Sequence, residues 1–309
     1  MTEKVLVICG PTAVGKTKYA IEIANAIGGE IVSADSMQLY KYMDIGSAKP
    51  TAEEQAGCRH HLVDMIDPRE PFSVADFQKM AKEAIKDISS RGLVPVISGG
   101  TGLYVSSLIY DMDFSAPPGD TAFRKRLYEI AERDGNMRVH DILKEKSPEA
   151  AERIHPNNLK KVIRAIEIAE NGGQVKAFEE SFVKTKDYDY ILIGLTRERE
   201  ELYDRINRRV DVLMSEGLVD EVKGLLDMGL TEDDISMKGI GYKEIIGYLR
   251  GEYDIGEAVR LIKKNTRHLA KRQLTWFRRY PDITWFNISE YENDDRCIEV
   301  IIDWLKSNM

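Results

Sequence analysis

Eight consecutive residues near the start of the chain have the types and spacing of a phosphate-binding loop, G-x-x-x-x-G-K-[ST]. The glycines permit a tight turn whose backbone N–H groups point inward, Lys16 adds a cation, and the Thr17 hydroxyl is suited to ligate Mg²⁺. An apolar run at residues 5–9 precedes the loop and a helical pattern follows from residue 18, as this motif requires. We therefore expect polyphosphate chemistry here. The eight residues are Gly10, Pro11, Thr12, Ala13, Val14, Gly15, Lys16 and Thr17.

Two further polar segments follow predicted strands. Residues 33–38 read Ser-Ala-Asp-Ser-Met-Gln, in which the Asp35 carboxylate is suited to act as a general base or as a magnesium partner. On position alone, Asp35 is equally suited to capping a turn. Residues 98–104 contain three glycines, which let the backbone approach a ligand closely, and Thr101 supplies a hydroxyl. The alternative for this segment is a glycine turn that leads into a helix.

Arginines of a later predicted helix are candidates to hold phosphate oxygens. Arg205 and Arg209 are four residues apart and share a face, and Arg208 lies one turn from Arg205. Guanidinium groups form paired hydrogen bonds with phosphate oxygens, so such a pair is suited to clamp a diphosphate, with an arginine such as Arg209 in the catalytic set. Which of the three arginines makes the contact stays open. A solvated face that pairs with Glu201 and Asp204 is the alternative.

One stretch of this acidic chain is strongly basic. The formal net charge of −8 alone argues against a nucleic-acid partner, yet residues 258–280 hold eight Lys and Arg residues and no Asp or Glu. Residues 271–279 mix cations with aromatic rings, which suits an RNA backbone with an exposed base to stack, although core packing is the expected role of the Trp276 ring itself. Four cations share one face of the predicted helix: Arg260, Lys264, Arg267 and Lys271.

Composition excludes several classes of protein. No apolar run in the 309 residues approaches a membrane span, and the N-terminus lacks a signal peptide's apolar stretch, so we expect a cytoplasmic protein with no membrane partner. The three cysteines are widely separated, which supports neither disulfides nor a zinc cluster. The N/T-K-x-D base reader of GTPases and an apolar run ending in a magnesium-binding Asp do not stand out. Nucleotide hydrolysis is therefore poorly supported.

Strand and helix patterns alternate along the first third of the chain, which predicts an α/β fold with a parallel sheet flanked by helices. Because the phosphate loop, the Asp35 segment and the glycine segment each follow a strand, all three should meet at the carboxyl edge of that sheet. The predicted strands cover residues 5–9, 31–34, 62–66, 93–97, 190–195 and 283–288.

A Pro/Gly-rich break at residues 113–120 interrupts this alternation, and the sequence then reads as helical to about residue 189. We interpret residues 116–190 as an inserted all-helical subdomain. Residues 1–115 and 191–309 would form the catalytic core.

Five blocks, in this order along the chain, resemble the tRNA dimethylallyltransferase (tRNA isopentenyltransferase) family. They lie at residues 10–17, 33–40, 99–104, 239–244 and 271–276 and span nearly the whole chain. The resemblance implies a P-loop NTPase-like core and transfer of a dimethylallyl group from dimethylallyl diphosphate to the exocyclic amine of the adenosine 3′-adjacent to the anticodon. It also implies Mg²⁺ as cofactor, the tRNA anticodon stem-loop as partner, a tRNA-binding insertion and no use of ATP. We expect a monomer.

The resemblance assigns roles to the matched positions. The catalytic set is Asp35 as general base, with Lys16, Thr17, Thr101 and Arg209. The tRNA contacts fall on Asp35, Ser36, Met37, Gln38, Thr101, Arg124, Asn158, Lys160, Lys161, Lys271, Arg272, Gln273 and Trp276. Arg126 lies close enough to Arg124 to compete for its role, and relatives often carry arginine in place of one of the lysines in residues 158–164. Eukaryotic members have a zinc-binding extension that has no counterpart after Trp304, which indicates the bacterial type.

Two other classes of protein account for less of the chain. A small-molecule kinase explains the phosphate loop and the sheet but leaves the insertion and the basic helix without a role. An RNA-binding switch protein with a vestigial loop explains the basic helix but not Asp35 and Thr101. An isopentenyltransferase that acts on free adenine nucleotides would not need an insertion as long as residues 116–190.

Overall fold

Parallel strands build the sheet that the alternating pattern predicts. The computed structural model describes residues 4–112, 114, 121–173, 175 and 183–308. Within them the strands are β1 (Lys4–Cys9), β2 (Gly29–Ser33), β3 (His60–His61), β4 (Val94–Gly99), β5 (Asp189–Thr196) and β6 (Thr284–Asn287). All six pair in parallel, in the order β3-β2-β4-β1-β5-β6. The predicted α/β fold class is confirmed.

Helices connect these strands. In the described residues they are α1 (Lys16–Ile27), α2 (Ala52–Gly57), α3 (Val74–Ser90), α4 (Gly102–Ile109), α5 (Thr121–Asp134), α6 (Asn136–Lys146), α7 (Pro148–Arg153), α8 (Leu159–Glu170), α9 (Arg199–Ser215), α10 (Leu218–Asp227), α11 (Tyr242–Leu249), α12 (Ile255–Phe277) and α13 (Asp294–Asn308). Local sequence sets several of their ends. Ser73 and Asp76 form a reciprocal capping box at the start of α3, and Gly217, at a φ of 102°, separates α9 from α10.

Strand β1 and helix α1 anchor the phosphate loop in the core. Residues 5–9 are buried, and Leu6 and Ile8 belong to the same apolar cluster as Tyr19 and Ile23 of α1. Each such side chain contributes roughly 1.5–3 kcal/mol when removed from water. Because both flanking elements are held in this way, the loop between them has fixed ends.

The predicted strand at residues 62–66 is wrong. The edge strand is β3, two residues earlier, and Leu62 and Asp64 have φ values of 63° and 56°, a left-handed conformation that extended strands do not contain. The segment instead runs alongside residues 38–39. The N–H of Asp64 donates to the carbonyl oxygen of Gln38, and the N–H of Met65 donates to that of Leu39. Residues 64–65 therefore lie beside residues 38–39, at the end of the Asp35 segment.

The chain divides into two compact units, residues 1–109 with 185–309, and residues 110–184. In the described part of the second unit, α5 to α8 share an apolar cluster that includes Leu127, Val139, Leu143 and Val162. The predicted insertion, 116–190, starts and ends six residues later than this unit. Most of the Pro/Gly-rich break at 113–120 lies outside the described residues.

Candidate active site

A cavity of about 690 Å³ lies where three strand ends meet, at the carboxyl edge of the sheet. The segments that follow β1, β2 and β4 line it, and α9 and α12 supply further wall residues. Its predicted site residues are Thr12, Ala13, Gly15, Lys16, Thr17, Asp35, Ser36, Met37, Gln38, Thr101, Arg209, Arg272, Gln273 and Trp276. Gly10, Pro11 and Val14 belong to the loop without lining the cavity, and all three are buried.

Arginines from outside the phosphate loop hold two of its carbonyl oxygens. Arg205 Nε donates to Ala13 O and Arg197 Nε donates to Val14 O, each at 3.0 Å. Ala13 has a φ of 63°, which costs a non-glycine residue about 1 kcal/mol, and Arg205 fixes the carbonyl of this strained residue. Position 10 has no room for a side chain, because a Cβ there would lie 2.6 Å from Leu195 O.

Lys16 is the cation of the loop. Its Nζ donates to Pro11 O at 2.8 Å, and the side chain lines the cavity together with Asp35 and Arg209. Burial lowers the pKa of Lys16 to about 8; the Asp35 carboxylate acts in the opposite direction, and the Arg209 guanidinium adds to the lowering. Asp35 and Arg209 therefore interact electrostatically with Lys16 within the cavity.

Asp35 lies in a turn that the loop after β4 holds in place. Its Oδ1 accepts the N–H of Met37 at 2.9 Å, so the capping role and the proposed catalytic role coexist. Thr101 Oγ1 accepts the N–H of Ser36 at 3.0 Å, and the Thr101 N–H donates to Ala34 O at 3.2 Å. The Asp35 turn and the threonine loop are thus tied together on both sides of the carboxylate.

Of the three candidate arginines on α9, Arg209 is the one that lines the cavity. Burial lowers its pKa, with the Asp35 carboxylate acting in the opposite direction, and the group stays cationic because arginine titrates far above neutrality. Arg205 instead holds the phosphate loop, and Arg208 is exposed. The arrangement favours Arg209 over its neighbours as a phosphate ligand.

The Gly-Ile-Gly-Tyr-Lys-Glu block at 239–244 forms part of the opposite wall. Tyr242 donates its hydroxyl to Glu221 Oε1 at 2.9 Å, and the same carboxylate accepts the N–H groups of residues 44–46 at 2.7 to 2.9 Å. Gly46 lines the cavity, so Glu221 shapes a wall of it from α10. Sequence reasoning missed Glu221, because nothing in its neighbourhood along the chain signals a partner about 175 residues away.

Apolar side chains complete the cavity, and apart from Met37 those named next were not predicted as site residues. They are Met37 and Leu103 from the strand-end segments, Val210 and Leu213 from α9, Ile240, and Ile262 and Leu269 from α12. The helical stripes that hold most of them are visible in the sequence, but a stripe alone does not separate a cavity wall from a core. Both charged and apolar side chains therefore line the cavity.

Helix α12 presents different residues to two sides. Arg272, Gln273 and Trp276 line the cavity, whereas Lys271 lines a separate groove of about 420 Å³. The Trp276 ring packs against Gly102, where a Cβ would lie 2.4 Å from the ring, and its N–H donates to Ser106 Oγ at 3.2 Å. The ring thus has the packing role expected from the sequence, with one edge at the cavity.

The remaining predicted contacts lie in the helical unit. Arg124 donates to both Glu167 oxygens, at 2.5 and 2.8 Å, and Arg164 donates to the same carboxylate at 3.2 Å. Burial acts to raise the pKa of Glu167, and the two guanidinium groups outweigh it, so that pKa is lowered. Asn158, Lys160 and Lys161 are exposed. Their assignment to tRNA, like that of Arg124, stays a prediction.

No group of three or more His, Cys, Asp or Glu side chains in the described residues is arranged to hold a metal ion. The lining of the cavity nevertheless includes Thr17, the last residue of the phosphate loop, with its hydroxyl, and Asp35 with its carboxylate. Mg²⁺ usually takes one or two protein ligands and completes its shell with phosphate oxygens and water. The residues present fit an ion that arrives with a diphosphate.

Comparison with known proteins gives a consistent result. The family model described as "IPP transferase" matches residues 38–280. A tRNA dimethylallyltransferase from Alkaliphilus oremlandii is 51% identical over 100% of this chain and 99% of its own, and one from Acetivibrio thermocellus is 51% identical over 96% of both. None of the helices described here has the length and apolar character to cross a membrane.

Solved structures agree. The tRNA isopentenylpyrophosphate transferase of Bacillus halodurans has a TM-score of 0.75 and 45% identity, covering 99% of this chain and 96% of its own. A eukaryotic dimethylallyltransferase described as acting on tRNA has a TM-score of 0.80 and 27% identity, covering 99% of this chain and 80% of its own. This chain belongs to the IPP transferase family of prenyl-transferring enzymes, and the two curated relatives named above are tRNA dimethylallyltransferases.

Proposed function

We propose that the protein transfers the dimethylallyl group of dimethylallyl diphosphate to the exocyclic amine of the adenosine 3′-adjacent to the anticodon of tRNA and releases diphosphate. The observation that carries the proposal is a single cavity lined by the phosphate loop, by Asp35 and by an apolar wall. The names of the full-length relatives support the same reaction. A site for phosphate hydrolysis or a simple kinase would leave the apolar wall without a ligand.

The charged side chains that line the cavity suit the leaving group. The bond between the allylic carbon and the diphosphate oxygen breaks, and negative charge accumulates on that oxygen. Lys16, Arg209 and the loop N–H groups would stabilise it, because fixed charges and donors in a water-poor cavity act more strongly than in bulk solvent. Mg²⁺ held by Thr17 and the diphosphate would supply further positive charge to the leaving group.

Asp35 would complete the transfer. The adenine amine forms a new bond to the allylic carbon and must lose a proton, and Asp35 lies in the same cavity to accept it. The base must leave its stack to reach this position, at a cost of a few kcal/mol that tRNA contacts elsewhere would offset. We assign those contacts to exposed cations such as Arg272 and to the helical unit.

The apolar side chains that line the cavity suit the five-carbon group. Leu213, Ile240 and Leu269 would surround the dimethylallyl carbons and exclude water from an allylic centre that carries positive charge during the transfer. We also propose that the protein acts as a monomer. We further propose a cytoplasmic location, where tRNA substrates are found.

The test is a transfer assay with labelled dimethylallyl diphosphate and tRNA made without modification. We expect label in the tRNA, recovered as a prenylated adenosine from the anticodon loop, in the presence of Mg²⁺ and without ATP. A parallel reaction with labelled ATP should leave the tRNA and small-molecule acceptors unlabelled. Label in free adenine nucleotides but not in tRNA, or phosphoryl transfer from ATP, would contradict the proposal.

A further inference from the structure

Gln273 joins the two loops on which the proposed chemistry depends. Its Oε1 accepts the N–H of Thr12 at 2.8 Å, and its Nε2 donates to Gly100 O at 2.9 Å. The two partners fix the orientation of the amide, because an N–H needs an acceptor and a carbonyl needs a donor. Both polar ends of the side chain are therefore bound to backbone atoms of the protein.

These bonds extend to the reacting groups on each side. Thr12 belongs to the phosphate loop that carries Lys16, and Gly100 immediately precedes Thr101, which holds the Asp35 turn through Ser36. The Gln273 amide is thus one bridge between the loop that would hold the diphosphate and the loop that positions the base. A Cβ added at Gly100 would lie 2.5 Å from Gln273 Nε2, so the fit leaves no spare space.

We propose that Gln273 is a positioning residue that sets the spacing between the diphosphate loop and Asp35, and that it is not a tRNA ligand. The inference rests on the proposed function, since it concerns the alignment of the two substrates of that reaction. A misplacement of about 1 Å between reacting groups lowers rates by about a hundredfold. Loss of the bridge should therefore affect turnover more than binding of tRNA.

The first experiment compares the wild-type protein with Gln273→Met, which keeps the length of the side chain but forms neither bond. We expect kcat at saturating tRNA and dimethylallyl diphosphate to fall at least about tenfold, with the Kd for tRNA within about threefold. His268→Ala, an exposed position on the same helix, is the matched control, and thermal melting checks the fold of each variant. A weakened Kd for tRNA with wild-type kcat at saturation would overturn the inference and make Gln273 a tRNA ligand.

A second experiment uses the close contact at Gly100. Gly100→Ala should displace the Gln273 amide and lower kcat by about as much as Gln273→Met. In a Gln273→Ala background, where the amide is gone, the same change should cost no more than about twofold. Equal losses in both backgrounds would overturn the inference.

If the wild-type protein forms no prenylated tRNA, the proposed function fails. If it does form prenylated tRNA and Gln273→Met has the same kcat, the inference alone fails.

Discussion

At the scale of single residues, some positions of the site can be predicted from the local sequence and others cannot. The phosphate loop, Asp35 and Thr101 could be predicted because each sits at a strand end within a recognisable short pattern. Gln273 was placed among the tRNA contacts, yet its amide bonds to Thr12, 261 residues away along the chain. Such pairings depend on tertiary structure, and a single sequence contains no signal for them.

The pKa of Lys16 yields a pH prediction. Because this pKa is lowered to about 8, Lys16 is charged below that pH and loses its charge as the pH rises. The affinity of the free protein for dimethylallyl diphosphate should therefore weaken as pH passes 8, as measured by calorimetric titration across about pH 7 to 9. Asp35→Asn should move the midpoint to lower pH, and Arg209→Gln should move it to higher pH, since each removes one of the charges that act on Lys16. An affinity independent of pH over this range would show that Lys16 does not hold the diphosphate.

At the scale of elements, periodicity predicted most strands and helices, and failed where backbone conformation was decisive. The predicted strand at 62–66 has the apolar content of a strand, but the left-handed Leu62 and Asp64 turn the chain out of the sheet. The remaining predicted strands overlap β1, β2, β4, β5 and β6. The three strand ends meet at one cavity, as the βα alternation implies.

The helical unit provides a test of Arg124. Arg124→Ala leaves the buried Glu167 with Arg164 as its remaining guanidinium partner among the described residues, so the free energy of unfolding should fall by about 1–3 kcal/mol. Arg126→Ala, at an exposed position two residues further along the same helix, should change this free energy by less than about 0.5 kcal/mol. Urea denaturation followed by circular dichroism measures both. If Arg124→Ala left the free energy of unfolding unchanged and weakened tRNA binding, the main role of this arginine would be to bind RNA.

At the scale of the whole molecule, local charge matters more than the net charge of −8. Along α12, Arg260 pairs with Glu257 and Lys263 pairs with Asp211, whereas Lys271 and Arg272 are exposed. Composition does not show which of these cations have an acidic partner, because Asp211, the partner of Lys263, comes from another helix. Among the described residues, the exposed cations of α12 without an ion pair include Lys264, Lys271 and Arg272.

Salt dependence tests this distribution. Binding of tRNA should weaken steeply as salt rises, because protein cations release ions condensed on the RNA. The double variant Lys271→Ala with Arg272→Ala should reduce the slope of log Kd against log salt by about 1.4 to 1.8, from roughly 0.7–0.9 per contact. Lys223→Ala, an exposed lysine on α10, is the control and should leave the slope unchanged. A slope that is the same in the double variant would remove this part of α12 from the RNA-binding surface.

The most direct test of the account is the behaviour of Asp35→Asn in a single-turnover reaction with tRNA and dimethylallyl diphosphate. A general base acts in the transition state more than in binding, so prenylated adenosine and released diphosphate should both fall by at least about a hundredfold. The Kd for tRNA should stay within a few-fold of the wild-type value, because the asparagine retains the size and an acceptor for the Met37 N–H. Near-normal product formation in this variant would contradict the central claim that Asp35 takes the proton in the cavity beside the phosphate loop.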